Sequence, residues 1–203
     1  MKLFFAMVIA YLIGSIPTGY LFAKSKKKID LRQHGSGNVG ATNVLRTVGK
    51  RPAVLTLLID ILKGLIAVTL WAGISYSPKI GLQYPEYLAV LGLTVVLGHN
   101  FSIFLHLKGG KGVATSAGVL LALCPKLLLV GLLSWIIIFS ISKIVSLASI
   151  ISAIAIPVAS FFFTYPAAIR FLIVVLAFLI ILTHRANIQR LLKGEEKRLS
   201  VRI

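Results

Sequence analysis

The chain is poor in acidic residues and in cysteine, and both shortages restrict its chemistry. Only five of its 203 residues are aspartate or glutamate, against 22 lysines and arginines. Because carboxylates are the usual protein ligands of Mg²⁺, so few acids argue against a metal-dependent phosphotransferase, and we expect no metal and no cofactor. The single cysteine, Cys124, lies in an apolar stretch, so neither a disulfide nor a thiolate metal site is expected.

Charged residues as a whole are also scarce. They make up 13% of the chain, apolar residues make up 58%, and the mean hydropathy is +0.95. Such a chain cannot cover a water-facing surface, whereas helices that face lipid need no charge. We therefore predict an all-α integral membrane protein with one transmembrane domain over residues 1–203. Membrane orientation, anionic lipids and an anionic substrate then explain the formal charge of +17 better than nucleic acid does.

Seven apolar runs mark the predicted transmembrane helices. They cover residues 3–23, 52–74, 85–105, 113–124, 127–142, 144–163 and 167–183. Runs near 20 residues can cross a hydrocarbon core of about 30 Å at about 1.5 Å per residue. Two of the runs are short, and Pro125 and Lys126 between them leave two alternatives, one kinked crossing or two short helices.

The distribution of basic residues favours two helices. If all seven runs cross the membrane, 17 of the 22 lysines and arginines lie on one side, as the positive-inside rule requires of the cytoplasmic side. Merging the short runs would place the basic C-terminal tail outside. We therefore expect about seven crossings, with the N-terminus outside and the C-terminus in the cytoplasm. The fourth run, about 18 Å long as a helix, would need a thinned bilayer or shielding by its neighbours.

This topology gathers three polar segments on the cytoplasmic side. We call them the first loop (His34 to Arg46), the second loop (Gly98 to Gly118) and the basic segment (His184 to Arg198). In the first loop, glycines allow a close approach of the backbone, and polar side chains offer hydrogen bonds. The candidate binding side chains are those of Ser36, Asn38, Thr42, Asn43 and Arg46. They suit a phosphate or a phosphate ester, and the alternative is a polar turn before an interfacial helix.

The second loop places glycines and lysines directly before a helix predicted to begin near Val113. These residues are Lys108, Gly109, Gly110, Lys111 and Gly112. Backbone N–H groups, a helix N-terminus and lysine together form an anion site, although the spacing of a nucleotide-binding P-loop is absent. The alternative is that the lysines only mark a cytoplasmic turn. His99 and Asn100, just before, are expected to be capping or core-bonded groups rather than catalysts.

The basic segment begins where the last apolar run ends. His184, Arg185 and Asn187 lie close enough to the membrane boundary to join a binding pocket, whereas the residues beyond them are expected to anchor lipid headgroups. Asp60 and Lys63 lie three residues apart within a span. They predict either a structural ion pair or a functional one.

Two common catalytic patterns are missing. No histidine has an aspartate five positions later, and the sequence G-x-S-x-G does not occur. An enzyme of this sequence would therefore work by positioning and positive charge, on a substrate that arrives already activated.

Taken together, the segments resemble the acyl-phosphate:glycerol-3-phosphate acyltransferases of bacterial phospholipid synthesis. The resemblance rests on Ser36 to Arg46, Gly98 to Gly118, His184 to Asn187 and the DILKG stretch from Asp60 to Gly64. It implies transfer of an acyl group from long-chain acyl phosphate to the sn-1 hydroxyl of glycerol 3-phosphate. It also implies a bacterial inner-membrane location, an active site facing the cytoplasm, and membrane lipids as further partners. The oligomeric state stays open.

The resemblance also implies roles for individual residues. Those expected to hold glycerol 3-phosphate or to orient its hydroxyl are Ser36, Arg46, Lys111, His184 and Asn187. Thr42, Asn43 and the amides of Gly109 to Gly112 are candidates for the acyl-phosphate head. The proton would pass to the departing phosphate or to His184.

Two other functions fit part of the pattern. A transporter of phosphate or a phosphate ester would also need anion-binding loops, but the candidate residues all lie on one face and no inverted repeat is visible. A lipid-binding scaffold would explain the basic charge, but it has no need of KGGKG before a helix.

Overall fold

The computed structural model describes residues 1–199, and all regular elements within that range are helical. Residues 200–203, which the predicted single domain includes and which contribute Arg202 to the basic tail, lie outside the described residues. The chain forms two compact units, which we call the N-terminal unit (residues 1–123) and the C-terminal unit (from residue 124). The prediction of one domain is not tested by this division.

The N-terminal unit contains seven α-helices within the described residues. They are α1 (Lys2–Ser15), α2 (Thr18–Lys27), α3 (Ala41–Thr47), α4 (Lys50–Ile66), α5 (Ala72–Ser75), α6 (Tyr84–Asn100) and α7 (Val113–Leu123). A π-helical turn, Ala67–Trp71, joins α4 to α5, so that Lys50–Ser75 runs as one helical rod. Short 3₁₀ turns occupy Leu31–Gln33, Pro78–Ile80 and Ile103–Leu105.

The first apolar run is broken, which the sequence prediction of one helix over 3–23 did not include. Helix α1 ends at Ser15 and α2 begins at Thr18. Pro17 lacks an N–H and disfavours the helical conformation for the residue before it, and Ile16 accordingly has φ −54° and ψ 115°. The break leaves carbonyl groups at the end of α1 that need other partners.

Two helix pairs in this unit are in close contact through glycines. A Cβ atom built on Gly14 would meet the carbonyl oxygen of Val95, and one on Gly98 would meet that of Tyr11, so α1 and α6 touch backbone to backbone. Gly64 of α4 and Gly118 of α7 approach the opposite backbones in the same way. Small residues permit this close packing of helices in a bilayer.

The C-terminal unit contains four helices within the described residues. They are α8 (Pro125–Ser142), α9 (Val145–Ser160), α10 (Ala167–Thr183) and α11 (Arg185–Leu192). Pro125 occupies the first turn of α8, where its missing N–H leaves no helical bond unmade, so it starts a helix rather than kinking one. Helix α9 packs against both α8 and α10, and the chain bends by 59° between α10 and α11.

Several of these helices are suited to a membrane. Four are long and apolar enough to cross one, namely Lys2–Lys27, Lys50–Ser75, Tyr84–Leu105 and Pro125–Ser142. A fifth is added if α10 and α11 count as one bent span, and Val113–Leu123 and Val145–Ser160 are shorter apolar helices. These helices establish a multi-pass, all-helical membrane architecture, and the number of seven crossings stays a prediction.

Candidate active site

The first loop folds around the side chain of Asn43, which is 1% exposed. Its Nδ2 donates to the carbonyl oxygens of His34 at 2.9 Å and Asn38 at 2.8 Å, with a longer contact of 3.3 Å to that of Leu31. Its Oδ1 accepts from the backbone N–H of Ser36 at 2.8 Å. Because both ends of the amide are engaged inside the loop, Asn43 is placed to shape the loop. Its predicted direct contact with the acyl-phosphate head stays a prediction.

A glycine is required next to this amide. Gly35 has φ +64°, in the left-handed region, and a Cβ there would collide with Oδ1 of Asn43. The side-chain oxygen of Asn38 accepts from the N–H of Gly40 at 2.8 Å, which forms a tight turn directly before α3. The glycines and asparagines of the first loop thus support one backbone conformation.

The other candidate binding residues of the first loop differ in their exposure. Ser36 and Arg46 are exposed, and Thr42 lies half-buried in the first turn of α3. Arg46 carries the guanidinium that the sequence predicts as a phosphate ligand.

An ion pair precedes the first loop. The guanidinium of Arg32 contacts the carboxylate of Asp30 through NH2 at 2.7 Å and Nε at 3.0 Å. These side-chain hydrogen bonds, followed by a backbone N–H from the same arginine, lower the pKa of Asp30 from 3.8 to about 2. One of the five acids of the chain is thereby paired with a cation.

The second loop folds back onto the end of α6. The N–H of Gly109 donates to the carbonyl of Asn100, and that of Gly110 to the carbonyl of His99, both at 3.0 Å. Both N–H groups are therefore bonded within the protein, and their predicted contact with the acyl-phosphate head stays a prediction. The N–H groups of the first turn of α7, which begins at Val113, remain as backbone candidates, since a helix gives them no internal acceptor.

Both loops line one small cleft in the N-terminal unit. Val39 of the first loop and Gly109 of the second lie on its wall, together with Ser15 and Thr18 at the break between α1 and α2. The buried Asp60 reaches it from α4, where it pairs with Lys63 at 2.6 Å. The structure therefore brings the two predicted loops together. Lys108 is exposed and Lys111 is half-buried.

In the C-terminal unit, His184 lies buried at the bend between α10 and α11. Its side chain is 3% exposed, and Nδ1 lies 2.8 Å from the carbonyl oxygen of Ile180. A carbonyl oxygen can only accept, so Nδ1 carries a proton and donates it to this contact. The hydrogen bond fixes the orientation of the imidazole at the bend.

Glu196 is the functional candidate that sequence reasoning missed. Its Oε1 accepts from Ser146 at 2.7 Å and from Asn187 at 2.6 Å, and its Oε2 accepts from Nε of Arg190 at 2.6 Å. Burial raises the pKa of this carboxyl, but the three hydrogen bonds outweigh it and the net pKa is lowered. Two adjacent acids, Glu195 and Glu196, within a run of basic residues were the available signal.

This cluster includes part of the basic segment. Arg190 bonds Glu196 through Nε while its side chain is 40% exposed, and its expected contact with lipid headgroups stays a prediction. Asn187 is buried and held by the same carboxylate, whereas Arg185 is exposed on the first turn of α11. Within residues 1–199, no group of three or more His, Cys, Asp or Glu side chains is arranged to hold a metal ion.

Comparisons with known proteins agree with this architecture. The profile of the glycerol-3-phosphate acyltransferase family matches residues 4–194. The chain is 44% identical to a glycerol-3-phosphate acyltransferase of Crocosphaera subtropica, over 97% of this chain and 94% of the relative. It is 43% identical to one of Halalkalibacterium halodurans, over 98% and 97% respectively.

Two crystal structures are similar over the whole fold. Both are of PlsY, described as an integral membrane glycerol 3-phosphate acyltransferase, one in a glycerol 3-phosphate form and one in a lysophosphatidic acid form. Their TM-scores are 0.89 and 0.86, at 44% and 43% identity, and each match covers 98% of this chain and 96% of the other.

Proposed function

The chain belongs to the glycerol-3-phosphate acyltransferase family, and we propose that it transfers a fatty acyl group from acyl phosphate to the sn-1 hydroxyl of glycerol 3-phosphate. The products are lysophosphatidate and inorganic phosphate. The observation that carries this proposal is the match to two PlsY crystal structures, whose bound forms are the acceptor and the product of one such transfer. Acyl phosphate as the donor fits a site built from cations and few acids.

The reaction requires little covalent chemistry from the protein. The glycerol hydroxyl oxygen attacks the acyl carbonyl carbon, the bond from that carbon to the phosphate oxygen breaks, and phosphate leaves. Because a mixed anhydride is already activated, the main task is to hold two anions in line and to offset their repulsion. Arg46 and Lys111 are our candidates for that task, with Ser36 to orient the hydroxyl.

The hydroxyl proton has two proposed destinations. One is the departing phosphate, and the other is Nε2 of His184, whose Nδ1–H donates to Ile180. Asn187, held by Glu196, would bind the acceptor beside it. If His184→Ala and His184→Gln both keep near-normal turnover, the substrate itself takes the proton.

Phosphate release tests the proposal. Purified protein given acyl phosphate and glycerol 3-phosphate should release phosphate and form lysophosphatidate, and liposomes containing it should not take up either substrate without turnover. Uptake without turnover would support the transporter instead. Lys111→Ala and Arg46→Ala should raise the KM for glycerol 3-phosphate by about tenfold or more. Lys79→Ala, which replaces an exposed lysine far from both loops in sequence, is the matched control.

We further propose seven crossings in a bacterial inner membrane, with the N-terminus outside and the loops in the cytoplasm. The α7 helix has 11 residues, about 16 Å at about 1.5 Å per residue, and would be shielded by the neighbours it packs against. In a Cys124→Ala background, thiol reagents should label Ser25→Cys from the cytoplasm, and Lys79→Cys and Lys126→Cys from outside. Labelling of Lys126→Cys from the cytoplasm would reduce the number of crossings.

A further inference from the structure

Three ionisable side chains that the proposed reaction does not use lie buried together in the N-terminal unit. Asp60 and Lys63 of α4 are 3% and 4% exposed and pair at 2.6 Å. His99 of α6 is 8% exposed, and its Nδ1 lies 3.9 Å from Oδ1 of Asp60. Ionisable groups within membrane helices are unfavourable, so their presence needs a purpose beyond a surface ion pair.

Lys63 has a second contact, at the break between α1 and α2. Its Nζ donates to the carbonyl oxygen of Ile16, the residue where the first apolar run stops being helical. Nearby, the hydroxyl of Ser102 donates to the carbonyl oxygen of Ser15. The hydroxyl of Ser15 donates to the carbonyl oxygen of Gly98 at 3.2 Å. Side chains from α4 and from the residues after α6 therefore bond carbonyls at the helix break, where the regular helical hydrogen bonds stop.

Within the second loop, His99 supports the stretch Lys108 to Gly112. Its carbonyl accepts the N–H of Gly110, and Gly110 lies so close over the imidazole that a Cβ would collide with Nε2. Gly109 packs against the carbonyl of the same histidine. The ring and the carbonyl of His99 thus fix the distance between Gly110 and the end of α6. Lys111 follows Gly110 in the chain, so its position depends on the same contacts.

The small cleft connects these contacts to the first loop. Ser15, Asp60, His99 and Gly109 all lie on its wall, together with Val39 of the first loop. A shift of the ion pair would therefore be transmitted to the helix break on one side and to the second loop on the other.

We propose that Asp60, Lys63 and His99 are positioning residues. The ion pair fixes the break between α1 and α2 and the position of His99. His99 in turn holds the stretch Lys108 to Gly112 where Lys111 can reach a substrate phosphate. This inference rests on the proposed function. It differs from a plain structural ion pair in one measurable way. A buried pair that serves stability alone can be replaced by apolar side chains of similar volume with little loss.

The first experiment replaces the pair. Asp60→Leu or Lys63→Met alone leaves a buried charge uncompensated and should lower the unfolding temperature, whereas the double variant should regain it. If the pair positions the loop, the double variant should still show a KM for at least one phosphate substrate that is raised by about tenfold, with a smaller change in kcat. A stable double variant with both KM values near wild type would overturn the proposal.

A second experiment probes His99 directly and does not depend on the pair variants folding. Gly110→Ala should raise the KM because its methyl group meets the imidazole, and His99→Ala should raise it because the loop loses support. In the double variant the missing ring makes room for the methyl group, so the KM should be lower than in Gly110→Ala alone. Strictly additive effects would contradict the proposal.

Two controls separate this inference from the proposed function. Gly73→Ala, where a Cβ meets nothing within 4 Å, should leave both KM values unchanged. If the wild-type protein turns over both substrates but the effects of Gly110→Ala and His99→Ala are additive, only the positioning role is refuted. Absence of turnover in the wild type would refute the proposed function itself.

Discussion

The first loop and the basic segment are each held by one buried side chain, but the two side chains differ in charge. Asn43 joins four backbone groups of the first loop through a neutral amide. Glu196 joins Ser146, Asn187 and Arg190 through a carboxylate. The amide bonds only backbone, so it fixes the path of the chain. The carboxylate bonds only side chains, so it fixes their positions and depends on its own ionisation.

The largest effect is expected from removing the carboxylate. Glu196→Ala removes the carboxylate that accepts from Ser146, Asn187 and Arg190, and should destabilise the protein by about 3 kcal/mol. Turnover should fall as well, since Asn187 is a proposed ligand of the acceptor. Unfolding in detergent and phosphate release measure the two effects.

Glu195→Ala is the matched control for this change. Glu195 is the exposed neighbour of Glu196, and its truncation should change stability by no more than about 0.5 kcal/mol. Equal effects of the two substitutions would show that the carboxylate cluster is not what holds the basic segment.

Changing the amide should affect activity more than stability. Asn43→Asp puts an oxygen where Nδ2 now faces three carbonyl oxygens, so repulsion replaces attraction, and Asn43→Ala simply removes the bonds. We expect kcat/KM to fall by about 10²-fold in both, and by more in Asn43→Asp. Gln33→Ala, an exposed position just before the loop, serves as control. An active Asn43→Asp variant would mean that the amide does not set the loop.

Sequence reasoning identified the side chain that holds the first loop but not the one that holds the basic segment. Hydropathy marks the long apolar helices because lipid exposure requires long apolar runs, but it marks neither the short polar helices α3 and α11 nor the break at Pro17, where the proline itself was the signal. Asn43 was identified as a hydrogen-bonding side chain of a glycine-rich segment, but it was predicted to hold the acyl-phosphate head rather than to shape the loop. Glu196 was not identified, since its three partners come together only through the bend after α10 and the return of the chain past α9.

The backbone of the second loop shows a different limit. A glycine-rich stretch before a helix predicts free N–H groups, and the residues before α7 match that pattern. Whether an N–H is free depends on what folds against it. Here the carbonyls of His99 and Asn100 already accept two of the amides, a contact between residues about ten positions apart that spacing alone does not predict.

Lowering the pH should weaken the stabilisation by the Glu196 carboxylate but not that by the Asn43 amide. The pKa of Glu196 is lowered in the folded protein relative to its ordinary value of 4.5, so the folded state binds fewer protons than the unfolded state near that pH. Its stabilisation is therefore complete above about pH 4.5 and is lost as the pH falls through the depressed pKa.

The stability gap between wild type and Glu196→Gln should accordingly shrink on acidification, as measured by unfolding temperature. The gap between wild type and Asn43→Ala should change much less, because an amide does not titrate. Parallel pH curves for the two gaps would contradict the assignment of the charged role to Glu196.

The smallest effect is expected at Asp30, an acid that is also paired but lies near the surface. Arg32→Ala removes the side-chain bonds that lower its pKa, while the backbone N–H of residue 32, at 3.0 Å from Oδ1, still donates. The pKa of Asp30 should therefore rise from about 2 toward 3.8 without reaching it, as followed by NMR of the carboxyl carbon. Turnover at neutral pH should stay within about twofold, because Asp30 is ionised with or without its partner and an exposed pair contributes little. A pKa that stays at about 2 would assign the shift to the backbone, and this acid would then resemble Asn43 rather than Glu196 in depending on the path of the chain.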